Sequence, residues 1–236
     1  MSLAGRVVII AGASGGLGQV AAAEFGKRGA YLVLAGSRIE KLQALAADLG
    51  QPPDRTLIHA ANLAHPEAAL RLAEATMERF GRIDVLLHLV GGWSGGRTIE
   101  ELQAGDIEAM LRQHLWTSVH LAQALVPHMR AAGWGRFLVI SSPAASQPVA
   151  RRAPYAIGKA AQEALVLTLA QELKGSGVTA NAVLVGTIDV AGERKRKPDV
   201  TNLGWATPEE ITATLLHLCS DQAGTINGAR IPLHGG

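Results

Sequence analysis

Seven short apolar runs punctuate this chain, and stretches with helical spacing separate them. The runs are R-V-V-I-I-A (6–11), Y-L-V-L-A (31–35), R-T-L-I-H-A-A (55–61), D-V-L-L-H-L-V (84–90), R-F-L-V-I-S (136–141), V-T-A-N-A-V-L-V (178–185) and A-R-I-P-L (229–233). Between them lie segments such as A-A-A-E-F-G-K-R, E-K-L-Q-A-L-A-A-D-L and P-E-A-A-L-R-L-A-E-A-T-M-E-R-F. Strands that are apolar almost throughout need cover on both faces, and alternation with helices supplies it as βαβ units. The pattern predicts an α/β fold, a doubly wound parallel sheet of seven strands with helices on both faces. No linker or shift in composition interrupts it, so residues 1–236 read as one domain.

Composition narrows the class. Hydrophobic residues make up 48% and aromatics only 4%, so the core is built mainly from Ala, Val, Leu and Ile. The net charge of +2 is too near balance to imply a nucleic-acid or membrane surface. No apolar run reaches the roughly 20 residues of a membrane span, and the first residues lack the apolar core of a signal peptide. The only cysteine, Cys219, sits in L-L-H-L-C-S and reads as core, which fits a reducing compartment. A soluble, cytoplasmic protein is expected. The eight histidines show no ligand spacing, so no metal is expected.

In doubly wound sheets ligands sit outside the carboxyl ends of the strands, so the residues that follow each strand matter most. The first strand runs into A-G-A-S-G-G-L-G-Q-V (11–20), where Gly12, Gly16 and Gly18 give G-x-x-x-G-x-G. Glycines there allow a sharp turn off the strand, close backbone approach to a pyrophosphate and tight helix packing. The helix that follows offers free N–H groups and a positive dipole end to phosphate. The second strand ends A-G-S-R (35–38). Gly36 stands where an acid would hold the ribose hydroxyl of NAD, while Ser37 and Arg38 can bind a 2′-phosphate. NADP is therefore expected in preference to NAD, which remains possible; the bland alternative makes Arg38 a solvated residue opening the next helix.

Tyr155 and Lys159 lie four apart in A-P-Y-A-I-G-K-A-A (153–161), on one face of a helix. They could be an amphipathic and a snorkelling residue, or a proton donor and its tuning cation. Together with the glycine loop they resemble the short-chain dehydrogenase/reductase family, whose Y-x-x-x-K follows an N-terminal T-G-x-x-x-G-x-G. That family also carries a Ser thirteen residues before the Tyr, and I-S-S (140–142) places Ser142 there. I-D-V-L-L (83–87), N-A-V-L-V-G-T-I-D-V (181–190) and the C-terminal G-A-R-I-P-L-H-G-G extend the resemblance along the chain.

The resemblance implies a Rossmann-type fold and an oxidoreductase interconverting a carbonyl and a secondary alcohol, similar to ketoacyl-reductase-like members. Tyr155 would exchange the proton, Ser142 would hydrogen-bond the reacting oxygen, and Lys159 would lower the Tyr155 pKa and bond the nicotinamide ribose. The implied cofactor bed comprises Gly12, Ser14, Gly16, Leu17, Gly18, Ser37, Arg38, Asn62, Leu63, Val90, Gly91, Tyr155, Lys159, Gly186 and Ile188. A homotetramer or homodimer and a small-molecule substrate are implied too, with no nucleic-acid or membrane partner.

Several positions depart from the family pattern. The loop Thr is Ala11, N-N-A-G becomes H-L-V-G (88–91), Asn62 stands for an acid, Val185 for a proline, and V-D-G-G ends as L-H-G-G. Most consequential is His114, at the place of the family's fourth catalytic residue, an Asn that distorts its helix and holds a water linking the Lys to solvent. A histidine can also bond a water, with its own pKa near 6.5. His114 is therefore read as part of a modified proton relay. H-L-V-G and His114 also leave room for a second reading, a non-catalytic dinucleotide-binding sensor of the same fold. Trp93 and Trp205 either line an apolar pocket or cap the surface. The run E-R-K-R-K (193–197) and the pair Arg151–Arg152 read as solvated, with anion binding as the alternative.

Overall fold

Seven strands alternate with helices in the computed structural model, which describes residues 2–233. The chain runs β1 (Val7–Ala11), α1 (Gly16–Lys27), β2 (Tyr31–Gly36), α2 (Ile39–Leu49), β3 (Thr56–Ala60), α3 (Pro66–Phe80) and β4 (Val85–His88). It continues through α4 (Ala104–Met110), α5 (Thr117–Ala131), β5 (Gly135–Ser141), α6 (Ala153–Glu172), β6 (Val178–Val185), the short α7 (Glu193–Arg196), α8 (Pro208–Leu218) and β7 (Arg230–Leu233). Every run expected to be a strand is one. The final H-G-G of the C-terminal motif lies outside the described residues.

The strands form one sheet in the order β3-β2-β1-β4-β5-β6-β7, and all pairings are parallel. The chain winds outward from β1 to β3, then crosses back to place β4 on the other side of β1. That reversal opens a crevice at the carboxyl ends of β1 and β4. In register, Ala11 lies between Ala35 and His88, and His88 lies beside Val139.

Successive strand residues face opposite layers. Val7, Ile9 and Ala11 join the core shared with α3, α5 and α6, whereas Val8 and Ile10 face α1, α2 and α8. Each fully buried aliphatic side chain contributes about 1.5–3 kcal/mol, which makes the two layers the main source of stability. Cys219 belongs to the second layer, and burial pushes its thiol pKa well above the ordinary value. Local signals set the helix ends: Pro66 opens α3, left-handed Gly50 and Gly81 close α2 and α3, and Thr207 with Glu210 forms a capping box on α8.

Two helix details position the site. α1 starts at Gly16 with no side-chain cap, leaving its first N–H groups free to face the crevice. Between α4 and α5 the helix widens into a π segment over Leu111–Trp116, which contains His114. Such segments bend the helix and turn a side chain out of its ordinary direction. The distortion expected from the resemblance is present, with a histidine at its centre.

Candidate active site

The glycine loop is a close-packed backbone cradle. A Cβ on Gly18 would stand 2.3 Å from the Gly12 carbonyl oxygen and 2.6 Å from that of Ala13, so no larger residue fits without displacing the loop. Two clefts meet at this loop. One, of about 490 Å³, is lined by Gly12, Ser14, Ser37, Arg38, Asn62, Leu63, Val90 and Gly91. The other, of about 340 Å³, is lined by Gly12, Gly16, Leu17, Gly18, Val90, Gly91, Tyr155, Lys159, Gly186 and Ile188. All fifteen residues expected to hold a cofactor thus border one cleft or the other. The bare cradle, the uncapped α1 N-terminus and Arg38 make this a fitting bed for a dinucleotide.

Sequence reasoning missed some of the lining. Arg112 and Gln113 of the π segment border the first cleft, and Val190 packs against Gly16 in the second. A helix face gave no hint that it would reach across to β1. Asn62 is partly committed to its own turn, its Oδ1 accepting the Ala64 N–H at 3.1 Å. Trp93 lines the second cleft and is 59% exposed; Trp205 lines neither, and its carbonyl accepts a bond from Arg194 at 2.5 Å.

The segment after β6 is organised by Asp189, whose carboxylate accepts the Glu193 and Arg194 N–H groups at 2.8 and 2.9 Å. Arg194 pairs with Glu210 and Arg196 with Glu193, so two cations of the E-R-K-R-K run serve the local fold. Arg151 and Arg152 are exposed at the start of α6, and Arg151 takes a left-handed φ of 63°. The Arg151 carbonyl accepts the Gly96 N–H at 2.7 Å, tying the loop after β4 to α6.

Behind the second cleft the side chains from four elements converge. Ser142 follows β5, is buried, and accepts the Ala144 N–H at 3.3 Å. Its hydroxyl lies near enough to the Tyr155 phenol to favour the ionised form slightly. The Tyr155 ring meets the His114 ring edge-on, with centroids 5.7 Å apart. Gly158 makes this possible, since a Cβ there would lie 3.0 Å from the Met110 carbonyl oxygen and 3.1 Å from His114 Cδ2. Lys159 Nζ donates to the Ile140 carbonyl at 2.8 Å and to Gln162 Oε1 at 3.0 Å. His114 Nε2 lies 3.2 Å from the Gly92 carbonyl oxygen, so Nε2 carries the proton and Nδ1 is an acceptor. Among the described residues Nδ1 has no partner.

The electrostatics depart from expectation at two residues. Burial raises the Tyr155 pKa, against smaller lowering from Ser142 and from Arg152 one helical turn back. The expected lowering by Lys159 is absent, because its ammonium is turned toward Ile140 and Gln162. Burial and the Lys159 charge bring His114 down to about 3, so its ring is neutral at physiological pH rather than titrating near 6.5. His88 lies in the same pocket, fully buried, and also falls to about 3 through burial, Lys159 and His114. Lys159 itself falls to about 7, chiefly by burial, with Glu163 acting in the other direction. No group of three His, Cys, Asp or Glu among the described residues could hold a metal, and no described helix is long and apolar enough to cross a membrane.

This fold and crevice are those of a dinucleotide-binding oxidoreductase. Residues 6–201 match the short chain dehydrogenase family model, and the chain belongs to that family. D-threitol dehydrogenase of Mycolicibacterium smegmatis is 29% identical over 99% of this chain and 93% of its own length. A 3-oxoacyl-acyl-carrier-protein reductase of Thermotoga maritima is 25% identical over 100% and 99%. Among solved structures, L-sorbose reductase of Gluconobacter frateurii, complexed with NADPH and L-sorbose, superposes with a TM-score of 0.89 at 29% identity, covering 100% of this chain and 97% of that one.

Proposed function

We propose that the protein is an NADP-preferring oxidoreductase that interconverts a small carbonyl compound and a secondary alcohol, with Ser142, Tyr155 and Lys159 as its catalytic set. The reading is carried by one observation: Tyr155 and Lys159 border the cleft that the glycine loop lines, and the Ser142 hydroxyl lies near enough to the Tyr155 phenol to favour its ionised form. The similarity to an NADPH-bound reductase supports the same choice. A bound nicotinamide would supply the hydride.

The chain's residues do the rest. Gly12, Gly16 and Gly18 receive the pyrophosphate against the α1 N-terminus, and Ser37 with Arg38 receives the 2′-phosphate. Tyr155 gives its proton to the carbonyl oxygen in reduction and takes it back in oxidation. Ser142 donates to that oxygen as charge develops. Lys159, poised between its charged and neutral forms near pH 7, returns a proton to Tyr155. His114 stays neutral and serves as a hydrogen-bond acceptor through Nδ1 on the proton's route to Lys159.

The groove between α5 and α6 supports self-association. It is lined by Val119, Ala122, Val126, Leu165 and Leu169, with Arg130 and Glu172 at its rim, a pattern a second copy can complement across a twofold axis. Light scattering in solution should return the mass of a dimer or tetramer; a monomer at micromolar concentration counts against this part of the reading.

The test of function is loss of NADPH absorbance with a panel of ketones and aldehydes. Turnover should fall by about a thousandfold in Tyr155→Phe with NADPH affinity retained. NADPH should bind at least about tenfold more tightly than NADH, and Arg38→Glu should reverse that order. Binding without turnover, unaltered by Tyr155→Phe, would favour the sensor reading instead.

A further inference from the structure

The buried side of Lys159 holds a polar chain that the three-residue catalytic set leaves out. Ser118 Oγ donates to the His114 carbonyl at 2.7 Å, since a carbonyl oxygen can only accept. Having given its one proton, Ser118 Oγ must accept from Gln162 Nε2 at 2.9 Å. The Gln162 amide is therefore fixed with Nε2 toward Ser118 and Oε1 toward Lys159 Nζ at 3.0 Å. Flipped, it would face an ammonium with its own N–H groups and a hydroxyl oxygen with no proton left. Gln162 and Ser118 are fully buried, so neither bond has water to compete with it.

Resting on the reading of Lys159 as a proton-exchanging residue, we propose that Gln162 is its positioning residue. Anchored through Ser118 to the His114 carbonyl, Gln162 and the Ile140 carbonyl together occupy two of the three Nζ directions. The remaining position is left for exchange in the cleft that Lys159 and Tyr155 both border. A neutral amine has two N–H groups and a lone pair, so both anchoring bonds survive when Lys159 loses a proton. Only the remaining position changes between proton and lone pair. An amide cannot itself pass a proton along, so the chain holds Lys159 in place and directs exchange toward Tyr155.

Other groups bear on Lys159 from each packed element. His88 of β4 and His114 of the π segment are neutral neighbours, Tyr155 shares its helix face, and Glu163 lies one turn further on. Glu163 is itself engaged by Ser141 Oγ at 2.5 Å and by Arg230 at 2.5 Å, which directs its carboxylate toward β5 and β7. Gln162 is the side chain that contacts Nζ directly.

The experiment follows the ¹³Cε resonance of Lys159, assigned by its disappearance in Lys159→Met, through a pH titration of the cofactor-free protein. Gln162→Leu, which deletes the acceptor, should lower the midpoint by about one pH unit, and Gln162→Glu should raise it by about one. Ser118→Ala loosens the anchor and should shift it in the same direction as Gln162→Leu, by less, which keeps the test open if Leu is not tolerated at 162. With a turned-over carbonyl in hand, kcat should fall about tenfold in Gln162→Leu with KM unchanged, and its pH limb should move with the resonance. Midpoints that stay within about 0.2 units in all three folded variants would overturn the proposal. The titration needs neither cofactor nor substrate, so it decides the role of Gln162 whatever the carbonyl panel shows about the reductase reading.

Discussion

The two clefts that meet at Gly12 are built by opposite means. The loop they share and the first cleft, at the ends of β1, β2 and β3, depend on backbone, through glycine spacing and an uncapped helix start, with Ser37 and Arg38 exposed beside them. The second backs onto buried side chains, where His88 of β4, His114 of the π segment, and Lys159 and Gln162 of α6 cluster away from water. Backbone recognition needs close approach and little else, so it tolerates solvent. Proton transfer needs shifted pKa values, which burial and neighbouring charge supply. On the proposed reading, binding stays at the surface and acid–base tuning inside.

The sharpest way to break this division is Gly18→Val. Its first side-chain carbon falls 2.3 Å from the Gly12 carbonyl, and backbone cannot yield as a side-chain tip can. Overpacking of this kind costs about 1–3 kcal/mol, so dinucleotide affinity should fall by about 100-fold while the chain remains folded. Titration of NADPH fluorescence measures it directly. Retained affinity would mean that the loop is not the phosphate bed.

A smaller effect probes the buried pocket through stability. The folded Lys159 pKa, about 7, lies below its unfolded value of 10.5, so the unfolded chain binds more protons throughout that window. Unfolding free energy therefore rises with pH from about 7 to 10.5, and at most by about 1.4 kcal/mol per pH unit. Denaturant melts should show a gain of about 2 kcal/mol between pH 7 and 9 that is missing in Lys159→Met. An equal slope in both proteins would mean that Lys159 is solvated and the pocket is open. His88 and His114, lowered to about 3, act in the same sense below pH 6.5, where falling pH favours the unfolded chain.

The same contrast separates what the sequence shows from what only the fold assembles. Strand runs, strand count and the glycine loop are local patterns, and each maps onto the structure with small differences. β4 stops at His88 rather than at residue 90 because Val90 and Gly91 turn out of the sheet to border both clefts. The proposed set of Ser142, Tyr155 and Lys159 rests on a spacing that is fixed along the chain. Gln162 gives no such signal: a glutamine on a largely apolar helix looks like a solvated residue until Ser118 of another helix is placed beside it. His88 stands out in the sequence as a departure within H-L-V-G, but its electrostatic role depends on the charge of Lys159 and the nearness of His114, which only the fold brings to it. Arg152 was visible as a cation at a helix start, but its effect on Tyr155 depends on how α6 meets the crevice.

His114 joins the two regions, and its replacement should give the smallest effect. Its Nε2–H holds the Gly92 carbonyl of the loop after β4, and its own carbonyl anchors Ser118. In His114→Asn the backbone carbonyl remains, so the chain to Gln162 survives. The shorter amide can place an oxygen near the Nδ1 position but does not reach the Gly92 carbonyl. What is lost is the Nε2–H bond to Gly92 and the ring against Tyr155. Turnover should therefore change by about three- to tenfold, the worth of one hydrogen bond of roughly 1 kcal/mol. Because the ring is neutral down to about pH 3, the wild-type profile should carry no limb near 6.5, and the variant should remove none. A limb near 6.5 that vanishes in His114→Asn would show a titrating, solvated histidine and overturn the buried pocket. Unchanged turnover with an unchanged profile would remove His114 from the proton route and leave it the structural task of tying the loop after β4 to the π segment.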